Sequence, residues 1–172
     1  MLKSRRFFII SATITVVVLA ALASLAHGND HGKVSSTISG AKVSIEYNRP
    51  LLKGRDIMKM LHPGQLWRIG ADDPTTLETD KDLDFGGTRV PKGKHILLAR
   101  MIGGGKWSLV FSTKSVFQYE PSAKVAEVPL EIRDEKNPVE ELTIRLANEG
   151  GRGVIEIAWG TSRLSASFSA AK

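Results

Sequence analysis

Three arginines, Arg49, Arg55 and Arg68, fall within one irregular stretch of the chain, Tyr47 to Thr76. A guanidinium group grips a carboxylate or phosphate through two parallel hydrogen bonds. Trp67 adjoins Arg68, and Asp72 and Thr76 follow in the same stretch. Together these groups suit an anion or sugar pocket. The candidate ligand-binding residues are therefore Arg49, Arg55, Trp67, Arg68, Asp72 and Thr76, with His95 from a later strand. A structural reading competes. Arg68 can pair with Asp72 or Asp73, and the other arginines can hold loop carbonyls, because a long loop must satisfy its own backbone.

Other chemistries find less footing. Asp80, Asp82 and Asp84 suggest a calcium loop, but Phe85 stands where the loop needs glycine and Pro91 where it needs glutamate. Gly103-Gly104-Gly105-Lys106 is no phosphate loop. Arg100 occupies the place of its first glycine and Trp107 that of its Ser/Thr. His27 and His31 are four apart, without a third ligand and among glycines. His62 and His95 are the histidines of the folded part. The serines lack a nucleophile-elbow context, and no nucleophile, base and orienting group come together. No cysteine is present, which removes disulfides and thiolate chemistry. No catalytic residue, metal or cofactor is assigned.

The elements that must hold these residues read mostly as strands. Val43, Ile45 and Tyr47 alternate with Lys42, Ser44 and Glu46, as in a half-buried antiparallel strand. Gly40 turns the chain before it. Asn48-Arg49-Pro50 ends that strand, since proline lacks the ladder donor. Asp56 to Leu61 predicts one or two helical turns, with Asp56 as cap and Ile57, Met58 and Leu61 inward. Gly86-Gly87, Gly103 to Gly105 and Asn148 to Gly153 read as hairpin turns. His95 to Arg100 and the Trp107 run follow as strands, with Ser112 to Ser122 left open. Ala123–Arg133, Glu140–Leu146, Val154–Trp159 and Arg163–Phe168 read as four further strands. The pattern predicts an all-β antiparallel sandwich or barrel of about eight to ten short strands. The three tryptophans, Trp67, Trp107 and Trp159, read as core; one exposed beside arginines would make a carbohydrate platform.

Length and charge bound the rest. The 172 residues suit a single domain, here 34–170. Lys3, Arg5 and Arg6 precede the apolar run Phe7 to Leu25, which reads as a secretory signal over 1–26 or as an uncleaved anchor. His27 to Lys33 reads as a linker. The formal charge of +6 falls to +3 without residues 1–26, leaving 21 basic against 18 acidic groups. No basic block is present, so nucleic acid is not an expected partner.

At Arg49-Pro50, Lys53-Gly54-Arg55, Leu66-Trp67-Arg68-Ile69-Gly70-Ala71 and Thr75-Thr76 the chain resembles a bacterial domain of unknown function, family 2911. Val90-Pro91-Lys92-Gly93, the Trp107 strand and Trp159 with Thr161-Ser162-Arg163 extend the resemblance over residues 34–169. It implies export and a β-rich domain, and no activity. Asp72, Pro74 and Lys94-His95 depart from the family pattern. The expected role is a non-enzymatic module of the cell envelope, periplasmic or extracellular, that binds a small molecule, a glycan or an envelope protein. It would touch the membrane only through its N-terminal segment. Two alternatives stand beside it: an envelope hydrolase or metal-dependent enzyme around Asp72 and His95, and a purely structural surface protein.

Overall fold

The computed structural model describes residues 30–171, so the signal or anchor reading of residues 1–26 lies outside the described residues. Ten strands form one open antiparallel sheet in the order β1-β2-β4-β7-β8-β9-β10-β5-β6, with β3 beside β7. They are β1 (Asp30–Ile38), β2 (Ala41–Arg49), β3 (Leu66–Trp67), β4 (Thr76–Thr79), β5 (Leu83–Phe85), β6 (Thr88–Val90), β7 (Gly93–Gly103), β8 (Lys106–Ser112), β9 (Lys124–Glu149) and β10 (Arg152–Ala170). The expected all-β antiparallel architecture is the one observed.

Period-two sequence becomes sheet faces directly. Along β2, Val43, Ile45 and Tyr47 are buried while Lys42 is exposed. The β1–β2 hairpin turns at Ser39 and Gly40, both at positive φ (49° and 78°). Such a turn matches the twist of the two strands. Among the described residues the one α-helix is a single turn, α1 (Ile57–Met60). Asp56 caps it, its carboxylate accepting the Lys59 N–H at 3.3 Å. Leu61 packs against the core, whereas Met60 is exposed.

Two expectations are corrected. The segment 27–33 is not all linker: β1 starts at Asp30, opposite Arg49. Its polar, glycine-containing sequence pairs because Gly32 leaves room for the Tyr47 ring, which a Cβ there would meet at 2.8 Å. The four late strand candidates form only two long strands. β9 pairs with β8 through its first part and with β10 through the rest. Register shifts between Ala158 and Ser162, around Gly160 at φ 61°, put the extra residues in β9, which bulges there without ending.

The curled sheet encloses one core. Phe85, Phe111 and Phe168, from β5, β8 and β10, meet with ring centroids 5.1–5.2 Å apart. The end of β2 reaches across to β9. Leu142 N–H donates to Pro50 O (3.1 Å), and Leu52 N–H donates to Glu140 O (2.6 Å). Tyr47 Oη accepts the Ile144 N–H at 3.1 Å, so a buried phenol pins the same pair of strands.

Gly153 lies directly under the Phe168 ring, and an added Cβ would sit 2.3 Å from it. Phe168 is held by Phe85 and has little room to withdraw. We expect Gly153→Ala to cost about 1–3 kcal/mol by overpacking, lowering Tm by roughly 2–4 °C for each kcal/mol. Calorimetric unfolding checks this, and an unchanged Tm would show that the core yields there.

Candidate functional site

The residues singled out by type divide into two groups. The first group fastens the fold. Arg49, half-buried at the end of β2, pairs with Glu141 of β9 at 2.9 Å. Arg55 donates from Nε to Leu52 O (3.0 Å) and from Nη2 to Leu51 O (2.6 Å). Its guanidinium lies 5.4 Å from the centre of the Trp159 ring. Trp67 stacks on Trp159 with centroids 5.8 Å apart and planes within 10°. Trp159 donates its indole N–H to Glu140 O. The turn carrying Arg55 is bound to the same strand, since Lys53 N–H donates to the Glu140 carboxylate at 2.9 Å. Arg49, Arg55 and Trp67 thus join the loop to β9 and β10, and Arg55 with Trp159 also lines a cavity of about 170 Å³.

The second group opens onto the outer face of the sheet. Arg68 and Asp72 border a cavity of about 220 Å³, with Pro74, Ile96, Leu98 and Phe117. Phe117 belongs to the 3-10 turn Val116–Gln118 and is 81% exposed. The Arg68 guanidinium sits 5.6 Å from its ring centre. A larger cleft of about 570 Å³ adjoins this cavity and shares Pro74 and Ile96 with it. Glu46, Asp73, Thr76 and Lys94 are among its polar residues, with His31 of β1 at its border. Glu46 also binds Lys33 at 2.7 Å. That hydrogen bond and charge hold the Glu46 carboxyl below the usual range.

His95 forms part of the same cleft wall, yet its ring is otherwise engaged. Nε2 lies 2.7 Å from Pro91 O, and the ring meets Phe111 edge-on at 6.2 Å. It is 7% exposed. Asp72 lines the small cavity and His95 the large one. Among the described residues, no group of three or more His, Asp or Glu side chains is placed to hold a metal ion.

Backbone geometry aims this second group. Ile69 and Asp72 have φ of 52° and 53°, a region β-branched residues such as isoleucine rarely enter. Thr75 Oγ1 donates to Ile69 O (2.6 Å), and Asn48 Nδ2 donates to Ala71 O (3.0 Å). Those two buried bonds hold the loop in its strained shape. Such strain collects where side-chain placement matters.

Phe117 escaped the sequence reading because Ser112 to Ser122 carries no strand or helix period. Its neighbours are pinned by another group. Arg100 donates from Nε to Glu127 and from Nη2 to the Tyr119 hydroxyl, each at 3.0 Å. Ser108 Oγ donates to the same Glu127 oxygen at 2.7 Å. Lys114 and Glu120 pair across the base of the segment. Burial raises the Glu127 pKa, but the hydrogen bonds from Ser108 and Lys124 and the Arg100 charge outweigh it and hold the carboxyl below its ordinary range.

The sequence model of the family described as protein of unknown function (DUF2911) matches residues 29–168, and the chain belongs to that family. No curated protein and no solved structure matches it.

Glu127→Gln should loosen the Phe117 segment. A carboxyl with a lowered folded pKa stabilises the fold above its unfolded pKa and loses that contribution as pH falls through the folded value. At neutral pH we expect a loss on the order of 1–2 kcal/mol. The gap between variant and parent should close as the pH falls from about 4 downward. Denaturant unfolding at both pH values checks this; a gap independent of pH would contradict it.

Proposed function

We propose that this member of the family is a non-enzymatic, exported binding module of the cell envelope. Its ligand lies on the outer face of the sheet, between the Arg68–Phe117 edge and the Thr76 cleft. The observation that carries the reading is Phe117, an aromatic ring 81% exposed, beside a guanidinium and lining the smaller cavity, which adjoins the larger cleft through Pro74 and Ile96. A large apolar side chain left in water beside concave space is a feature of binding surfaces. Export is supported by the basic Lys3, Arg5 and Arg6 ahead of the apolar run Phe7 to Leu25.

The enzymatic alternative draws less support. His95 Nε2 already contacts Pro91 O, and Asp72 borders the other cavity. A general base must come within reach of its substrate's proton, and His95 is buried against Phe111. A purely structural role gives no use to the cavity that Phe117 and Arg68 line.

A thermal-shift screen of the full chain against sugars, organic acids and phosphates tests the reading. A ligand of the native state raises Tm by mass action. Phe117→Ala and Arg68→Ala should each reduce the shift and leave the unliganded Tm nearly unchanged, since such surface changes cost within about 0.5 kcal/mol. A shift that neither substitution reduces would place the ligand elsewhere.

A further inference from the structure

The outer face of β1, β2, β4 and β7 carries side chains in ordered rows. Ser35 stands opposite Ser44, Ser44 opposite Glu78, and Glu78 opposite Lys94. The next row runs Lys33, Glu46, Thr76, Ile96 and Ser112. Rows on one face lie about 7 Å apart along a strand, and neighbouring strands about 5 Å apart. A third cavity, of about 510 Å³, occupies the far end of this face, among Ser35, Thr37, Ser44 and Glu78. From Lys42, in that cavity, to Glu46, in the Thr76 cleft, is four residues of one strand, or roughly 13 Å. Beyond the cleft lies Phe117. Three cavities therefore follow one another along a single face.

We propose that this face is an extended track for a neutral, polyhydroxylated chain, a glycan laid across β2, β4 and β7. The inference rests on the binding-module reading and assigns its ligand class. Charge excludes several rivals. The acids bordering the three cavities are Glu46, Asp72, Asp73, Glu78 and Asp80. The cations are Lys42, Arg68 and Lys94, with Lys33 paired to Glu46 on the same face. The track thus carries no surplus of cations on a chain whose formal charge is positive. Phosphate-bearing or sulfated polymers need such a surplus and do not find it here.

Topology excludes another rival. An extended peptide adds to a sheet through an unpaired edge, where backbone groups are free. β2, β4 and β7 are each paired on both sides, so the face offers side chains only. Those side chains are hydroxyls, carboxylates and the ammonium groups of Lys42 and Lys94, which accept from and donate to ring hydroxyls. The apolar end, Phe117 with Pro74 and Ile96, suits the C–H face of a sugar ring.

Calorimetric titration of the full chain with neutral glucose- and N-acetylglucosamine-based oligosaccharides, disaccharide to octasaccharide, tests the assignment. Polygalacturonate and an arginine-rich peptide serve as the charged probes. We expect affinity to rise about tenfold or more with length. Ser44→Arg should remove that gain and spare the disaccharide, with Glu78→Ala as a second variant should the first fail to fold. Phe117→Ala should weaken every length by roughly threefold to tenfold. Affinity that ignores length, or that both track variants leave intact, ends the extended track while the groove reading stands. Tighter binding of polygalacturonate overturns the neutral class. Phe117-dependent binding of the peptide alone overturns the glycan and keeps the module. Binding of no probe ends both.

Discussion

An open sheet has to be fastened before it can have an inside and an outside. Here the fastening is the seam between the end of β2 and the middle of β9. Three strands, β4, β7 and β8, separate the two in the sheet order. Yet Pro50 and Leu52 hydrogen-bond directly to Leu142 and Glu140. Arg49 adds its ion pair to Glu141, partly shielded from water and so worth more than an exposed pair. The Trp67–Trp159 stack closes the same corner. Aromatic pairs of this kind contribute about 0.5–1.5 kcal/mol beyond the area they bury. Leu52 rests on Gly160, where the missing side chain and the positive φ let β10 bend toward the seam. The curl that results turns the polar side of β2, β4 and β7 outward, and the cavities lie on that side.

Much of the fold was legible because period two is a strong signal. The β1–β2 hairpin, the glycine turns and the half-buried β2 follow from it. The long strands were not legible. Arg133 to Val139 has no alternation to set it apart from a loop, and within it only Arg133, Asp134 and Val139 have register partners on β10. Asp30 to Lys33 is a similar case: its composition reads as linker, and Gly32 over the Tyr47 ring makes it strand.

The candidate site was legible in its residue types and only half legible in its placement. Arg49, Arg55 and Trp67 have the chemistry of a ligand clamp, but their partners, Glu141 and Trp159, lie far along the chain. Sequence spacing gave no sign of that pairing. Arg68, Asp72 and Thr76 do border open space, and His95 joins the wall of the larger cleft. The decisive neighbour, Phe117, lies in a segment with no periodicity. It is placed by Tyr119, whose hydroxyl accepts from Arg100 of β7.

Scaffold and surface thus use the same residue types for opposite ends: arginine on tryptophan closes the seam, and arginine on phenylalanine borders the groove. The most direct test of this division is hydrogen exchange on the full chain, with and without neutral oligosaccharide. The account predicts added protection at 74–78, 94–98 and 112–118, with the seam at 49–56 unchanged. Protection confined to 49–56 and 159–162 would contradict it, and would make the Arg55–Trp159 corner the site.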